Sequence, residues 1–266
     1  MSTRPTVTFL TDYGPGSEHV GALHAVVAVA CPAADRIDLA HDISPGDIVW
    51  AAIQFDRLTA LLPQAAHCAV VDPGVGTPRR GVAVRTEAGG FLVGPDNGLM
   101  GLAAESRGAT DAVLLDIPHG TPPTFHGRDV FAPAAAALAG GVGLEEVGDA
   151  IDPHSLAWPE LPEPETGVGR VAATVAGSDR FGNVGLLAGP SELREAGFEA
   201  GDAVRIEAPD AIRPATVGRT FADVAEGKLM VYIDSHGMLA LAVNGQRASD
   251  VLGMVRGERV VLERVG

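Results

Sequence analysis

An aspartate that ends an apolar run and meets an arginine seven residues later is the strongest chemical signal in the chain. Asp72 closes CAVV and is followed by Pro73-Gly-Val-Gly-Thr-Pro78 and then Arg79-Arg80. Such a rigid Pro/Gly turn can fold a guanidinium back over the carboxylate. Taken alone, the spacing fits a structural ion pair at a turn as well as a reactive one. His126 stands in Thr124-Phe125-His126-Gly127-Arg128-Asp129, ahead of a helical stretch, where a histidine beside Phe serves equally as a structural residue. If the three met, they would form a charged, metal-free group able to orient a water molecule and take its proton.

Other polar residues follow apolar strands, where an open parallel sheet presents its binding crevice. Asp12 follows TFLT, and Asp96 and Asn97 follow FLVG by way of Gly94 and Pro95. The glycines after Asp12, at 14, 16 and 21, miss the spacing that holds a pyrophosphate, and there is no P-loop. Asp12 therefore reads either as a carboxylate for two vicinal hydroxyls, as on a ribose, or as a turn residue bonding its own backbone. In Ser178-Asp179-Arg180-Phe181-Gly182-Asn183, Asp179 could hold an ammonium, Phe181 could stack on a base and Asn183 could read an adenine edge. The same residues also suit an ordinary β-turn. Asp234-Ser235-His236-Gly237-Met238 carries the same ambiguity. For a metal, the candidates are His41 and Asp42 with Asp47, or His19 with His24. No H-E-x-x-H, C-x-x-C or G-x-S-x-G accompanies them, so no metal is expected.

The elements that must position these groups change character along the chain. From Thr6, short β-rich runs alternate with helical stretches: TVTFLT, EHVGALHAVVAVAC, RIDLA, GDIVWAAIQFDRLTALL, HCAVVD, GVAVRT, GFLVG and DAVLLD, with helices expected near Asn97 to Ala104 and Arg128 to Ala139. The class is α/β, a mostly parallel sheet with flanking helices. After Trp158 a Pro-rich segment implies an extended spacer, and beyond it short β-branched runs such as AVRIEA, KLMVYID and MLALAVN imply a small sandwich or β-barrel. The expected organisation is an N-terminal α/β domain over 1–158, a linker over 159–167 and a β-rich domain over 168–266.

Across 266 residues, 19 Lys+Arg against 34 Asp+Glu give a formal charge of −15, and Lys228 is the lone lysine. That field repels phosphate backbones and anionic lipid, which argues against nucleic-acid and membrane partners and for a small molecule. Cys31 and Cys68 lie in apolar surroundings and read as buried free thiols. With no signal peptide and no long apolar span in the sequence, a cytoplasmic protein is expected.

TDYG at 11–14, HDISPGD at 41–47, VVDPGVGTPRR at 70–80, GPDNGL at 94–99, TFHGRDVFAP at 124–133, SDRFGNV at 178–184 and DSHGMLALAVN at 234–244 together resemble the S-adenosyl-L-methionine hydroxide adenosyltransferases, adenosine-forming SAM hydrolases related to fluorinase and chlorinase. The resemblance spans both halves in order. It implies cleavage of S-adenosyl-L-methionine to adenosine and L-methionine by water or hydroxide attack at ribose C5′, without a cofactor. It also implies an α/β domain, a barrel-like domain and a homotrimer with sites between subunits. Asp72, Arg79 and His126 match the family's water-activating triad, Asp12 its ribose-diol carboxylate, Asp179 its contact to the methionine amino group and Asn183 its adenine contact. Ser235, Ala240 and Val243 match the stretch completing the methionine and adenine pockets, and by motif position Phe125 and Phe181 pack on ribose or adenine. The related halogenases resemble the chain too, but carry an uncharged residue where Asp72 stands and a different one where His126 stands. They are the alternative among enzymes. A non-catalytic sensor of the same nucleoside is the alternative outside them, though it would have no reason to keep all three triad residues. Asp234 for the family's Asn and Tyr13 for its Phe are departures.

Overall fold

The computed structural model describes residues 4–209 and 211–265, and the chain divides into two compact units, 1–160 and 161–266. The first contains β1 (Thr6–Thr11), α1 (Glu18–Ala30), β2 (Asp35–Ala40), α2 (Ile48–Thr59), β3 (Ala66–Val70), β4 (Gly81–Thr86), β5 (Phe91–Pro95), α3 (Gly101–Ser106), β6 (Ala109–Leu115), α4 (Ala132–Ala139) and β7 (Gly148–Ile151). Its sheet runs β2-β1-β3-β5-β4-β6-β7. The first four strands are parallel and the remaining pairings antiparallel. Connection length accounts for the switch: helical crossovers return the chain in the same direction, whereas the tight turn at Gly89 (φ +82°) reverses it between β4 and β5.

Both faces of this sheet are covered. In β1, Phe9 packs with Leu23 and Val27 of α1 and Ala135 of α4, while its neighbour Leu10 packs with Ala51 and Phe55 of α2 and Ala103 of α3. That alternation places one helix pair on each face. Ser17 caps α1 by accepting the His19 amide, and Asp47 caps α2 by accepting that of Trp50. The helix expected from Asn97 starts later, at Gly101. Asn97 is occupied instead, its side chain donating to Val71 O at 2.9 Å and accepting from Leu99 N at 3.2 Å. The helix expected from Arg128 opens with a π-helical turn, Gly127–Phe131, before α4.

The second unit contains β8 (Glu165–Gly167), β9 (Arg170–Ser178), β10 (Val184–Leu186), α5 (Pro190–Glu195), β11 (Ala203–Ala208), β12 (Ala211–Val217), β13 (Leu229–Ile233), β14 (Leu239–Val243), α6 (Ala248–Leu252) and β15 (Arg259–Arg264). Strand order is β10-β14-β13-β12-β11-β15-β9-β8, and β10 also pairs with β9. Seven strands thus close into a barrel, with β8 appended to β9. Glu165–Gly167, within the stretch expected as a spacer, is this added strand. Val171, Val175, Val204, Ile206, Val231 and Leu241 fill the interior, as the period-2 pattern of the strands requires.

Candidate active site

The turn after β3 does fold Arg79 back. Val75 N donates to Asp72 O at 3.2 Å and Thr77 N to Gly74 O at 3.1 Å, two successive tight turns. Gly76 has φ +79°, and a Cβ there would stand 2.8 Å from Pro123 O, so only glycine lets this loop lie against the segment leading to Thr124. Arg79 Nε then donates to Asp72 Oδ1 at 2.9 Å and to Oδ2 at 3.0 Å, and Nη2 also bonds Oδ2. The side chains are 5% exposed for Asp72 and 10% for Arg79. A second element arrives from 47 residues away: Arg79 Nη2 lies 3.0 Å from Nδ1 of buried His126, at the start of the π-helical turn. Arginine can only donate, so Nδ1 is the acceptor and the neutral ring carries its proton on Nε2. Burial first, and the charge of Arg79 second, push His126 below its ordinary pKa, against the opposing pull of Asp72 and Asp129.

A cavity of about 340 Å³ opens beside this group, lined by Asp12, Tyr13, Gly46, Asp72, Phe125 and His126 among others. It lies off the C-terminal ends of the parallel strands β1 and β3, as expected of such sheets. Asp12 Oδ2 accepts the Gly46 amide at 2.9 Å, and Oδ1 takes no hydrogen bond among the described residues. Tyr13 packs edge-on to Phe125, with ring centroids 5.8 Å apart. Its hydroxyl reaches over Gly127, where a Cβ would stand 2.4 Å away. Burial, with the neighbouring Cys68, Asp12 and Asp72, holds the Tyr13 phenol firmly protonated.

The other polar residues flanking the strands brace these. Asp96 accepts Arg80 Nε and the Ala157 amide, each at 2.7 Å. Asn97, bonded to Val71 O, steadies the strand end next to Asp72. Asp47 caps α2 and His41 bonds Thr11. Among the described residues no group of three His, Cys, Asp or Glu side chains is arranged to hold a metal ion.

In the second unit, Asp179–Asn183 and Asp234–Met238 adopt one and the same turn. In both, the Asp Oδ1 accepts two amides. These are Phe181 N at 2.8 Å and Asn183 N at 2.9 Å in the first turn, and His236 N at 2.8 Å and Met238 N at 2.9 Å in the second. Each turn contains a glycine with positive φ, +83° at Gly182 and +81° at Gly237. Asn183 Nδ2 also donates to Asp179 Oδ2 at 2.8 Å, so acid and amide arrive as one pre-set pair. Phe181 is 69% exposed, with the Arg180 guanidinium 5.5 Å from its ring. Ser235 is exposed, Ala240 is buried on β14, and Val243 packs in the barrel core. Tyr232, pushed up to about 12 by burial and by the charges of Asp179 and Asp234, lies near both turns.

Two family models cover most of the chain: the SAM hydroxide adenosyltransferase N-terminal domain matches residues 7–148, and the C-terminal domain matches 173–261. The chain belongs to the SAM hydroxide adenosyltransferase family. It is similar to an (R)-S-adenosyl-L-methionine hydrolase of Salinispora arenicola, 42% identical over 98% of either chain. It is also similar to the solved structure of an uncharacterized conserved protein from Thermotoga maritima, with TM-score 0.88 and 34% identity over 97% of this chain and 100% of that one. Fluorinases are more distant, the one from Nocardia brasiliensis being 28% identical over 91% of each chain.

Of the residues matched to the adenosyltransferase motifs, Asp72, Arg79, His126, Asp12 and Phe125 share the cavity region of the first unit. Asp179, Phe181 and Asn183 share one turn of the second. Tyr232 was not singled out in the sequence, where it is one aromatic in the alternating run KLMVYID and its approach to two carboxylates depends on strand pairing. Gly46 was quoted within HDISPGD without a role, because its contribution is a backbone amide.

Proposed function

We propose that this chain hydrolyses S-adenosyl-L-methionine to adenosine and L-methionine, as an (R)-S-adenosyl-L-methionine hydrolase does by name. The observation that carries the reading is the continuous Asp72–Arg79–His126 hydrogen-bonded group on the wall of the cavity that also holds Asp12. The oxygen of water bonds to ribose C5′ as the C5′–S bond breaks, and the bonding pair passes to sulfur. The sulfonium thereby leaves as a neutral thioether and needs no proton, so the work left to the protein is to place the nucleophile in line. His126, with Nδ1 committed to Arg79, offers Nε2–H to hold the water oxygen. Asp72 accepts the proton that the oxygen loses as the new bond forms, and Arg79 keeps that carboxylate oriented. Asp12 receives the ribose diol. Asp179 takes the methionine ammonium, Asn183 and Phe181 serve adenine, and Ser235, Ala240 and Val243 complete those pockets. The active assembly is a homotrimer with its sites between subunits, in the cytoplasm.

Halogenation is the second reading, supported by the more distant fluorinases. The carboxylate of Asp72, 5% exposed beside the cavity, weighs against it because it repels a halide. The deciding experiment incubates the protein with S-adenosyl-L-methionine and chloride in oxygen-18 water, followed by mass analysis of the nucleoside. Adenosine labelled at O5′ supports hydrolysis. A 5′-chloro product transfers the chain to halogenation, and retained binding without turnover leaves a sensor.

A further inference from the structure

A second hydrogen-bonded chain runs beneath the cavity and ends at Asp12. His41, 9% exposed, places Nδ1 2.8 Å from Oγ1 of Thr11, which is fully buried. The other ring nitrogen, Nε2, is buried without an aligned hydrogen bond and stands 3.1 Å from Asp38 Oδ1 on β2. His24 Nε2 of α1 approaches the same oxygen at 2.6 Å. A carboxylate cannot donate, so the nitrogen facing it carries the hydrogen and, in the neutral ring, Nδ1 accepts the Thr11 hydroxyl proton. The Thr11 oxygen is then free to accept the amide of Tyr13 at 3.2 Å. On the far side of that residue, Gly14 N donates to His41 O at 2.9 Å. Asp12 is therefore bracketed: Thr11 before it and Gly14 beyond it bond His41 directly, and Tyr13, next to it, bonds Thr11.

The geometry points to His41 as a positioning residue for substrate, acting through Thr11 to fix the backbone turn that aims the Asp12 carboxylate into the cavity. The arrangement of acid, imidazole and hydroxyl looks like a nucleophilic triad, but Thr11 is sealed from the cavity and its oxygen is spent on a backbone amide. Its product is orientation. A carboxylate held, among the described residues, by a single backbone donor, Gly46 N, depends on the turn beneath it to present both oxygens to a diol. The assignment rests on the reading of Asp12 as the diol carboxylate.

The test uses two substitutions that split the ring's two contacts. His41→Asn puts an amide oxygen where Nδ1 stands and keeps the Thr11 bond. His41→Gln reaches toward Asp38 and loses it. Calorimetric binding of adenosine and of 2′,3′-dideoxyadenosine is measured for both variants, for wild type and for Asp12→Asn, with melting temperatures recorded alongside. Expected for His41→Gln is an adenosine affinity about tenfold weaker, the scale of one hydrogen bond. Dideoxyadenosine binding should be nearly unchanged, and His41→Asn should be close to wild type for both ligands. Equal weakening of both nucleosides in His41→Gln would mean a merely structural role and overturn the assignment. If Asp12→Asn discriminates the diol and His41→Gln does not, the assignment falls while the diol reading stands. If Asp12→Asn weakens both nucleosides alike, the diol reading fails and takes the assignment with it.

Discussion

Arg79 Nη2 lies 3.0 Å from His126 Nδ1 while the same guanidinium grips Asp72, so one cation sets both the rotation of a carboxylate and the tautomer of an imidazole. Protonating His126 would put a second N–H against a group that only donates. Burial and the Arg79 charge already hold the ring below its ordinary value of 6.5, so the neutral form predominates at pH 7 and gives way as pH falls below that ordinary value. In a kcat/KM profile from pH 8 to pH 5, the acid limb should appear below 6.5. An inflection above 7 attributable to His126 would contradict this tautomer.

Asp72→Asn keeps a planar side chain that can still accept from Arg79 but removes the proton acceptor. Turnover of S-adenosyl-L-methionine should fall by about 10² to 10⁴-fold, the usual weight of a positioned acid or base, with adenosine affinity little changed. A loss of affinity matching the loss of rate would assign Asp72 to binding.

Gly127→Ala should be damaging for a reason found on another element. Its new Cβ would stand 2.4 Å from the Tyr13 hydroxyl, at the end of a rigid ring that cannot swing aside cheaply. In a Tyr13→Phe background that oxygen is gone, so the same substitution should cost less. A double-mutant cycle on melting temperature checks the coupling, and strict additivity would deny it.

His67 titrates elsewhere and should dominate part of the acid sensitivity of folding. It is 2% exposed, with Nδ1 2.8 Å from Thr8 Oγ1 and Nε2 3.1 Å from Leu62 O, and burial pushes it down to about 4 from 6.5. The unfolded chain therefore binds this proton more readily, and stability drains away as pH falls from 6.5 towards 4, by roughly 3 kcal/mol. Urea unfolding of wild type and His67→Gln across that range isolates the contribution as the difference between their slopes.

Phe181→Ala should leave the melting temperature unchanged, since the ring is 69% exposed and rests mainly on Arg180. Its substrate KM should rise by about 5- to 150-fold if the ring stacks on adenine, as base–aromatic contacts of about 1 to 3 kcal/mol imply. An unchanged KM would remove Phe181 from the site.

What could be read in the residues depended on range. The return of Arg79 onto Asp72 was legible because Pro73, Gly74 and Gly76 leave the chain little choice over seven residues. The α/β class and the barrel were legible because helical and two-residue periods differ so plainly across Trp158. The meeting of Arg79 with His126 across 47 residues was out of reach of spacing, since it is created by the packing of the π-helical turn against β3, and only the family resemblance anticipated it. Asp96 and Asn97 looked functional from their places after a strand, yet both braced neighbours whose positions no local pattern reveals. His41 was a metal candidate through its sequence neighbours Asp42 and Asp47, whereas its partners, Thr11 and Asp38, lie on two neighbouring strands whose pairing the sequence does not announce.

Closing seven strands of the second unit on one another, with β9 meeting β10, leaves β8 as its one open border among the described residues. Only three residues long, Glu165–Gly167, that border offers a stray chain too few backbone groups to nucleate growth, and its glutamate adds charge to the approach. The unit is thereby insulated against templated fibril assembly. The barrel's other strands, each paired on both sides, are left without a free row of backbone groups through which to recruit their counterparts in another molecule.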